Sequence, residues 1–123
     1  MITGIVTAGR EARVRFAVHG PGDTMVEVDA VVDTGFSEYL SFPRTMVDGL
    51  ALPFVQTETV MLADGSLATT SVHECSVSWD GRLRPVGVHC LEGTPLAGMA
   101  LLLDHLLVVE VVEGGDVTIS ALA

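Results

Sequence analysis

The sequence predicts an all-β fold built as a single domain. Turn-forming clusters with glycine, proline or Asp-Gly recur roughly every ten residues, which is the spacing typical of all-β domains. Hydrophobic residues make up 49% of the chain but aromatic residues only 5%, so small branched side chains that pack well in strands must fill the core. The length of 123 residues is near the commonest size of one domain. We therefore expect one domain, residues 1–123, with a well-filled core.

Alternation and turn residues predict the order of the elements. The segment ARVRFAV alternates between charged and apolar side chains, as a half-buried strand does. The segment MVEVDAVV begins with alternation and ends fully apolar, as does a strand that passes from solvent into the core. Asp-Gly pairs at 64–65 and 80–81 are strong hairpin signals, a third hairpin is expected around Gly114, and Pro43 can open a brief helix to residue 50. The expected strands are residues 2–6, 12–18, 25–32, 38–42, 55–62, 67–77, 83–89, 108–112 and 117–121.

One strongly apolar segment, LAGMALLLDHLLVVEVV at residues 96–112, is nearly long enough to span a membrane. Asp104, His105 and Glu110 interrupt it, and each of these is costly in the hydrocarbon interior. We therefore predict a buried short helix followed by a core strand, with Asp104 and His105 at the solvated end of the helix. No membrane partner is expected.

The charge is strongly negative, with 16 acidic and 6 basic residues and a formal net charge of -10. Such a surface repels phosphate backbones, and no basic cluster offsets it, so nucleic acid is not an expected partner. The N-terminal sequence MITGIVTAGREARVRF lacks the apolar core of a secretory signal. From the sequence we expect a cytoplasmic protein.

Cysteine and histidine do not form a recognisable metal motif. The two cysteines, Cys75 and Cys90, are too few for a disulfide framework. His73-Glu74-Cys75 and His89-Cys90 fall on adjacent expected strands but lack zinc-ligand spacing, so no metal or other cofactor is expected. A cysteine nucleophile with His89 or His105 as its base stays open, although neither cysteine falls in a turn or at a helix start.

The stretch VVDTGFS at residues 31–37 sets one carboxylate between an apolar strand and a glycine turn. Asp33 can be read as a turn residue, since Asp, Thr and Gly all favour turns. Its place at the end of a buried strand favours a second interpretation, because a lone carboxylate there would be costly to ionise. Two such carboxylates that share one proton instead provide an acid and a base beside the same water.

The chain resembles the retropepsin-like (retroviral-type) aspartic proteases, and the resemblance extends over most of its length. VVDTGFS resembles the catalytic Asp-Thr-Gly loop of that family, and the hairpin VMLADGSLATTSV at 60–72 resembles the flap that folds over bound peptide. PLAGMALL at 95–102 is similar to the apolar-apolar-Gly element that packs beside the catalytic loop. The resemblance implies an acid-protease half-barrel with one or two short helices. It also implies a two-fold homodimer, because the chain has only one Asp-Thr-Gly and a second copy must supply the other Asp33.

The resemblance further implies a role for each site residue. Asp33 would activate the water, Thr34 would hydrogen-bond across the dimer axis, and Gly35 would let the backbone and a substrate approach. Leu96, Ala97 and Gly98 would pack behind the loop. The residues expected to bind an extended polypeptide substrate are Phe36, Met61, Leu62, Ala63, Asp64 and Gly65.

The chain also departs from the family pattern. Phe36 stands where a small residue is usual, and Ser37 and Met99 stand where retroviral members carry an acid and an arginine that pair. Two functional classes follow. One is an aspartic endopeptidase, and the other is a catalytically silent relative that keeps the fold as a peptide-binding or dimerisation module. The intact triplet favours the endopeptidase, since a scaffold would not need the acid.

Overall fold

The computed structural model describes the whole chain, Met1 to Ala123, as ten strands and two short helices. Strands account for 54% of the residues and helices for 8%, which confirms the prediction of an all-β fold. The strands are β1 (Ile2–Val6), β2 (Ala12–His19), β3 (Met25–Val32), β4 (Leu40–Phe42), β5 (Phe54–Met61), β6 (Leu67–Trp79), β7 (Arg82–Cys90), β8 (Leu96–Ala97), β9 (His105–Val109) and β10 (Asp116–Ala121). The helices are α1 (Arg44–Gly49) and α2 (Met99–Leu102).

All ten strands belong to one sheet with the order β5-β6-β7-β4-β8-β3-β2-β1-β10-β9. A further pairing of β2 with β6, through Val18↔Val77 and His19↔Ser76, joins the ends of the stretch from β6 to β2 into a closed ring. Two pairings are parallel, β3 with β8 and β4 with β7, and both lie inside this ring. The remaining strands extend it, with β1, β10 and β9 on one side and β5 on the other.

A single apolar core fills the ring, and its largest fully buried side chains include Trp79, Phe42 and Leu40. The short helices close it, since α1 buries Val47 and α2 buries Leu101 and Leu102. β5 contributes no residue to this core. β5 and the tip of the β5–β6 hairpin therefore lie outside the core, where few buried apolar contacts restrain them.

Most predicted strands agree with the structure to within a few residues, and one is wrong. The strand expected at 108–112 is β9, which begins at His105 and ends at Val109. The segment after it turns back, because Glu110 N–H donates to Asp116 O and Gly115 N–H to Val112 O. Val111 and Val112 are exposed in that turn.

The apolar segment 96–112 contains three elements where two were predicted. Besides the short helix and the strand, its first residues form β8, which the sequence did not predict. No helix of the chain is both long and apolar enough to cross a bilayer. His105, predicted at a solvated helix end, instead starts β9, where its Nε2 accepts a hydrogen bond from Trp79 Nε1–H at 3.2 Å and its Nδ1 lies 2.8 Å from Leu103 O.

Candidate active site

Asp33 lies directly after β3, at the carboxyl end of a strand inside the ring. β8 runs parallel to the end of β3 with the register Val31↔Leu96 and Val32↔Ala97. The ladder continues for one more residue, because Asp33 N–H donates to Ala97 O at 2.9 Å. The apolar end of β3 and the Leu96–Ala97 strand thus fix the backbone of the acid, and Leu96 also lines the cleft described below.

The Asp33 carboxylate is half-buried and takes part in a local turn. Its Oδ1 accepts a hydrogen bond from Gly35 N–H at 2.9 Å, and Phe36 N–H donates to Asp33 O at 3.2 Å. This is the turn bond that the structural interpretation of Asp33 predicts. Oδ2 accepts no hydrogen bond within the chain, so one oxygen of the acid is available to a water or a second group.

Gly98 holds the segment after Asp33 against the start of α2. Gly98 N–H donates to Tyr39 O at 2.9 Å, and Met99 N–H donates to Phe36 O at 2.7 Å. A Cβ at residue 98 would collide with Glu38 O and lie 2.6 Å from Phe36 Cδ2. Only glycine permits this close approach. The backbone of residues 36–38 therefore packs directly against Gly98 and the start of α2.

A cleft of about 600 Å³ opens beside Asp33. Its floor includes Asp33, Gly35 and Phe36, and the tip of the β5–β6 hairpin covers it with Met61, Leu62 and Ala63. The remaining lining residues are Ser37, Glu38, Thr59, Val60, Leu91 and Leu96. The structure thus brings six of the predicted site residues together around one cleft, namely Asp33, Gly35, Phe36, Met61, Leu62 and Ala63.

Three predicted site residues lie outside this lining, namely Thr34, Asp64 and Gly65. Thr34 is exposed, on the loop beside Asp33. Asp64 and Gly65 instead make the turn of the hairpin, where Asp64 Oδ1 accepts from Ser66 N–H at 2.9 Å and from Ser66 Oγ at 2.5 Å. These bonds hold the pKa of Asp64 below its ordinary value, and Gly65 adopts a left-handed φ of +84°. Within one chain, both residues shape the hairpin and do not line the cleft.

The sequence analysis missed one cluster at the edge of this cleft. Potential ligand atoms of Glu38, Glu58 and His89 lie within 4.8 Å of one another. Glu58 belongs to β5 and His89 to β7, and His89 Nε2 lies 2.7 Å from Glu58 Oε2. The cluster brings together residues that are far apart in the chain. Its one sequence signal is a histidine at the apolar end of β7, and a buried histidine needs a polar partner.

The cysteine alternative gains no geometric support, because no hydrogen bond joins the thiol of Cys75 or of Cys90 to a histidine. Cys75 is buried, and desolvation raises the pKa of its thiol to about 12, so the thiolate is scarce at neutral pH. The predicted bases are engaged elsewhere, His89 with Glu58 and His105 with Trp79 and Leu103. His73 is also occupied, since its ring nitrogens lie 3.0 Å from Leu52 O and 3.0 Å from Ser71 Oγ.

Comparison with known proteins adds no relative to this picture. No protein-family model, curated protein or solved structure matches the chain. The functional argument therefore depends on the geometry of the cleft and on the resemblance of the motifs that line it.

Proposed function

We propose that the protein is an aspartic endopeptidase that hydrolyses extended polypeptide as a two-fold homodimer. The observation that carries the proposal is the position of Asp33, at a strand end on the floor of a covered cleft, with one carboxylate oxygen free of any partner in the chain. A lone carboxylate is a weak catalyst for amide hydrolysis. A second Asp33 across a symmetry axis supplies the missing group.

In this mechanism the two Asp33 side chains hold one water and one proton between them. The ionised carboxylate takes a proton from the water as its oxygen attacks the scissile carbonyl carbon. The protonated carboxyl donates to the carbonyl oxygen, and the tetrahedral intermediate then breaks its C–N bond as the nitrogen receives a proton. Gly35 N–H fixes the orientation of the carboxylate, and Thr34, exposed beside it, would bond to the loop of the partner copy.

The cleft suits an extended peptide. β5 is an edge strand of the sheet, so its free side can pair with a strand-like ligand while alternate side chains enter the cleft. Met61, Leu62 and Phe36 offer apolar contacts to such side chains. The hairpin that carries two of these residues has no core contacts in β5, and so it can open to admit a chain.

Two surface features favour a second copy of this chain as the partner. β9 is the other edge of the sheet, and its outward face exposes the apolar side chains of Leu106 (51%) and Val108 (45%). Next to the Asp33 loop, Met99 and Leu103 are also exposed. An unpaired edge with apolar neighbours is a typical surface for strand pairing between chains.

The test is digestion of a mixed peptide library with the wild type, Asp33→Asn and a matched control, Asp23→Asn, whose side chain is exposed and unpaired. We expect Asp33→Asn to abolish cleavage with no change in thermal unfolding, and a statine-type transition-state mimic to inhibit the wild type. The dimer fraction in sedimentation should rise with salt, because each subunit carries -10. Undiminished turnover by Asp33→Asn would place the chemistry elsewhere, and peptide binding without any turnover would favour the silent module.

A further inference from the structure

The cleft is acidic beyond its proposed catalytic group. Glu38 lines the cleft together with Asp33 and Ser37, and its carboxylate has no hydrogen bond or ion pair within the chain. The Glu58 carboxylate lies within 4.8 Å of it, on the strand that leads into the covering hairpin. Two carboxylates this close repel each other unless a cation or a proton lies between them.

The buried histidine of the cluster does not supply that positive charge. His89 is only 3% exposed, and its Nδ1 is buried without a hydrogen-bond partner. A proton on Nδ1 would be a buried donor with no acceptor, so we assign the single ring proton to Nε2, which donates to Glu58 Oε2. This bond, and secondly the bond from Gln56 Nε2, holds the pKa of Glu58 below its ordinary value. Glu58 therefore stays ionised, and the one hydrogen bond that His89 donates goes to Glu58 and not to Glu38.

No cation of the chain reaches the cluster. All six basic residues are arginines, and none of them lines the cleft. Their partners lie elsewhere: Arg13 pairs with Glu11 and Asp29, and Arg44 with Asp48. The negative charge at this edge of the cleft can therefore be balanced only from outside the chain.

We propose that Glu38, supported by Glu58 and His89, forms a subsite that selects a lysine or arginine side chain of the peptide substrate. This inference deepens the proposed endopeptidase function and depends on it for the identity of the ligand. An ammonium or guanidinium group between the two carboxylates would relieve their repulsion and make charge-assisted hydrogen bonds to both. The apolar part of the cleft, with Phe36 and Leu96, would contact the aliphatic stem of the same side chain.

A divalent metal fits the same three residues less well. A metal on Nε2 would force the ring proton onto Nδ1, whereas metal-bound histidines normally donate that N–H to an acceptor. The distance of 2.7 Å between His89 Nε2 and Glu58 Oε2 is also too short for two ligands of one metal ion. Tetrahedral zinc holds its nitrogen and oxygen ligands about 3.4 Å apart. The geometry thus favours a cationic side chain over an ion.

The experiment compares short apolar peptides in which one lysine is moved through every position with a matched series that carries norleucine instead. Cleavage is measured with the wild type, Glu38→Gln and the control Glu74→Gln. The control removes one exposed carboxylate of β6 that has no partner within the chain and does not line the cleft. Binding of the same peptides is measured with Asp33→Asn, alone and combined with each glutamine variant. All assays are run with a metal chelator and again with added zinc.

We expect lysine at one position to improve cleavage and binding by up to about fivefold over norleucine, as a partly exposed charge pair would. Glu38→Gln should remove that preference, Glu74→Gln should keep it, and raised salt should weaken it. Cleavage that depends on Asp33 but is indifferent to lysine overturns this inference and leaves the endopeptidase standing. If the peptides bind with a lysine preference that depends on Glu38 but are never cleaved, the lysine subsite stands and the endopeptidase function is overturned. A preference that appears only with zinc, or no binding of either series, overturns the lysine subsite.

Discussion

Gly98→Ala is the most direct test of how the Asp33 loop is held. The backbone of Gly98 has φ -100° and ψ -178°, an extended conformation that any residue adopts, so the substitution causes no dihedral strain. Its cost is steric, because the new Cβ would collide with Glu38 O and lie 2.7 Å from Phe36 O. Both of these are backbone atoms, which cannot move aside as a flexible side chain can.

The size of the effect follows from two opposing terms. Forcing an extra methyl group into a packed site costs about 1–3 kcal/mol. Alanine recovers about 0.4–1 kcal/mol by restricting the unfolded chain. With mid-range values for both terms, the net loss of unfolding free energy is about 1.3 kcal/mol, a fall of about 5 °C in Tm for a chain of this length. The shift of residues 36–38 should also lower cleavage, since this segment lines the floor of the cleft.

Urea unfolding and thermal scans measure the first effect, and the peptide digest measures the second. The matched control is Gly49→Ala in α1, where an added Cβ meets no atom within 4 Å. Alanine there should leave stability unchanged or raise it by up to about 1 kcal/mol. Equal unfolding midpoints for Gly98→Ala and the wild type would refute the close packing between α2 and the Asp33 loop.

Two further predictions concern the ionisable groups around the cleft and core. Because the pKa of Glu58 is lowered from 4.5 in the folded state, its ionised form stabilises the fold above pH 4.5, and this contribution is lost as the pH falls through the lowered value. Glu58→Gln should therefore be less stable than the wild type at neutral pH. The loss should be less than about 1 kcal/mol, because the Glu58 side chain is a third exposed to solvent. Urea unfolding midpoints of the two proteins that stay apart well below pH 4.5 would contradict this. Cys75, whose thiol pKa is about 12, should resist iodoacetamide in the folded protein at about pH 8 and react in urea. Rapid alkylation of Cys75 in the native state, read by peptide mass, would show that it is not buried as described.

The sequence predicted those strands whose side chains face two different environments. β2 and β3 alternate between solvent and core, and their alternation predicted both with little error. The run from His105 to Val112 is nearly all apolar, so its pattern gives no register, and the predicted strand was placed three residues too late. β8 has only two residues, and its partner β3 is more than sixty residues earlier in the chain. No local pattern predicts so short a strand, because it forms only through its pairing with β3 and β4, which lie far from it in the chain.

The same distinction applies to the candidate site. The groups proposed for the chemistry lie together in the chain, because a strand end and a tight turn can present Asp33 and Gly35 within three residues. The groups proposed for selectivity come from the Asp33 loop, β5 and β7, and only the closed ring of strands brings them together. Replacing Glu38, Glu58 or His89 leaves the Asp-Thr-Gly triplet intact but changes the charge at the edge of the cleft. A chain can therefore keep its triplet and change its substrate, and a resemblance carried by the triplet predicts the reaction far better than the substrate.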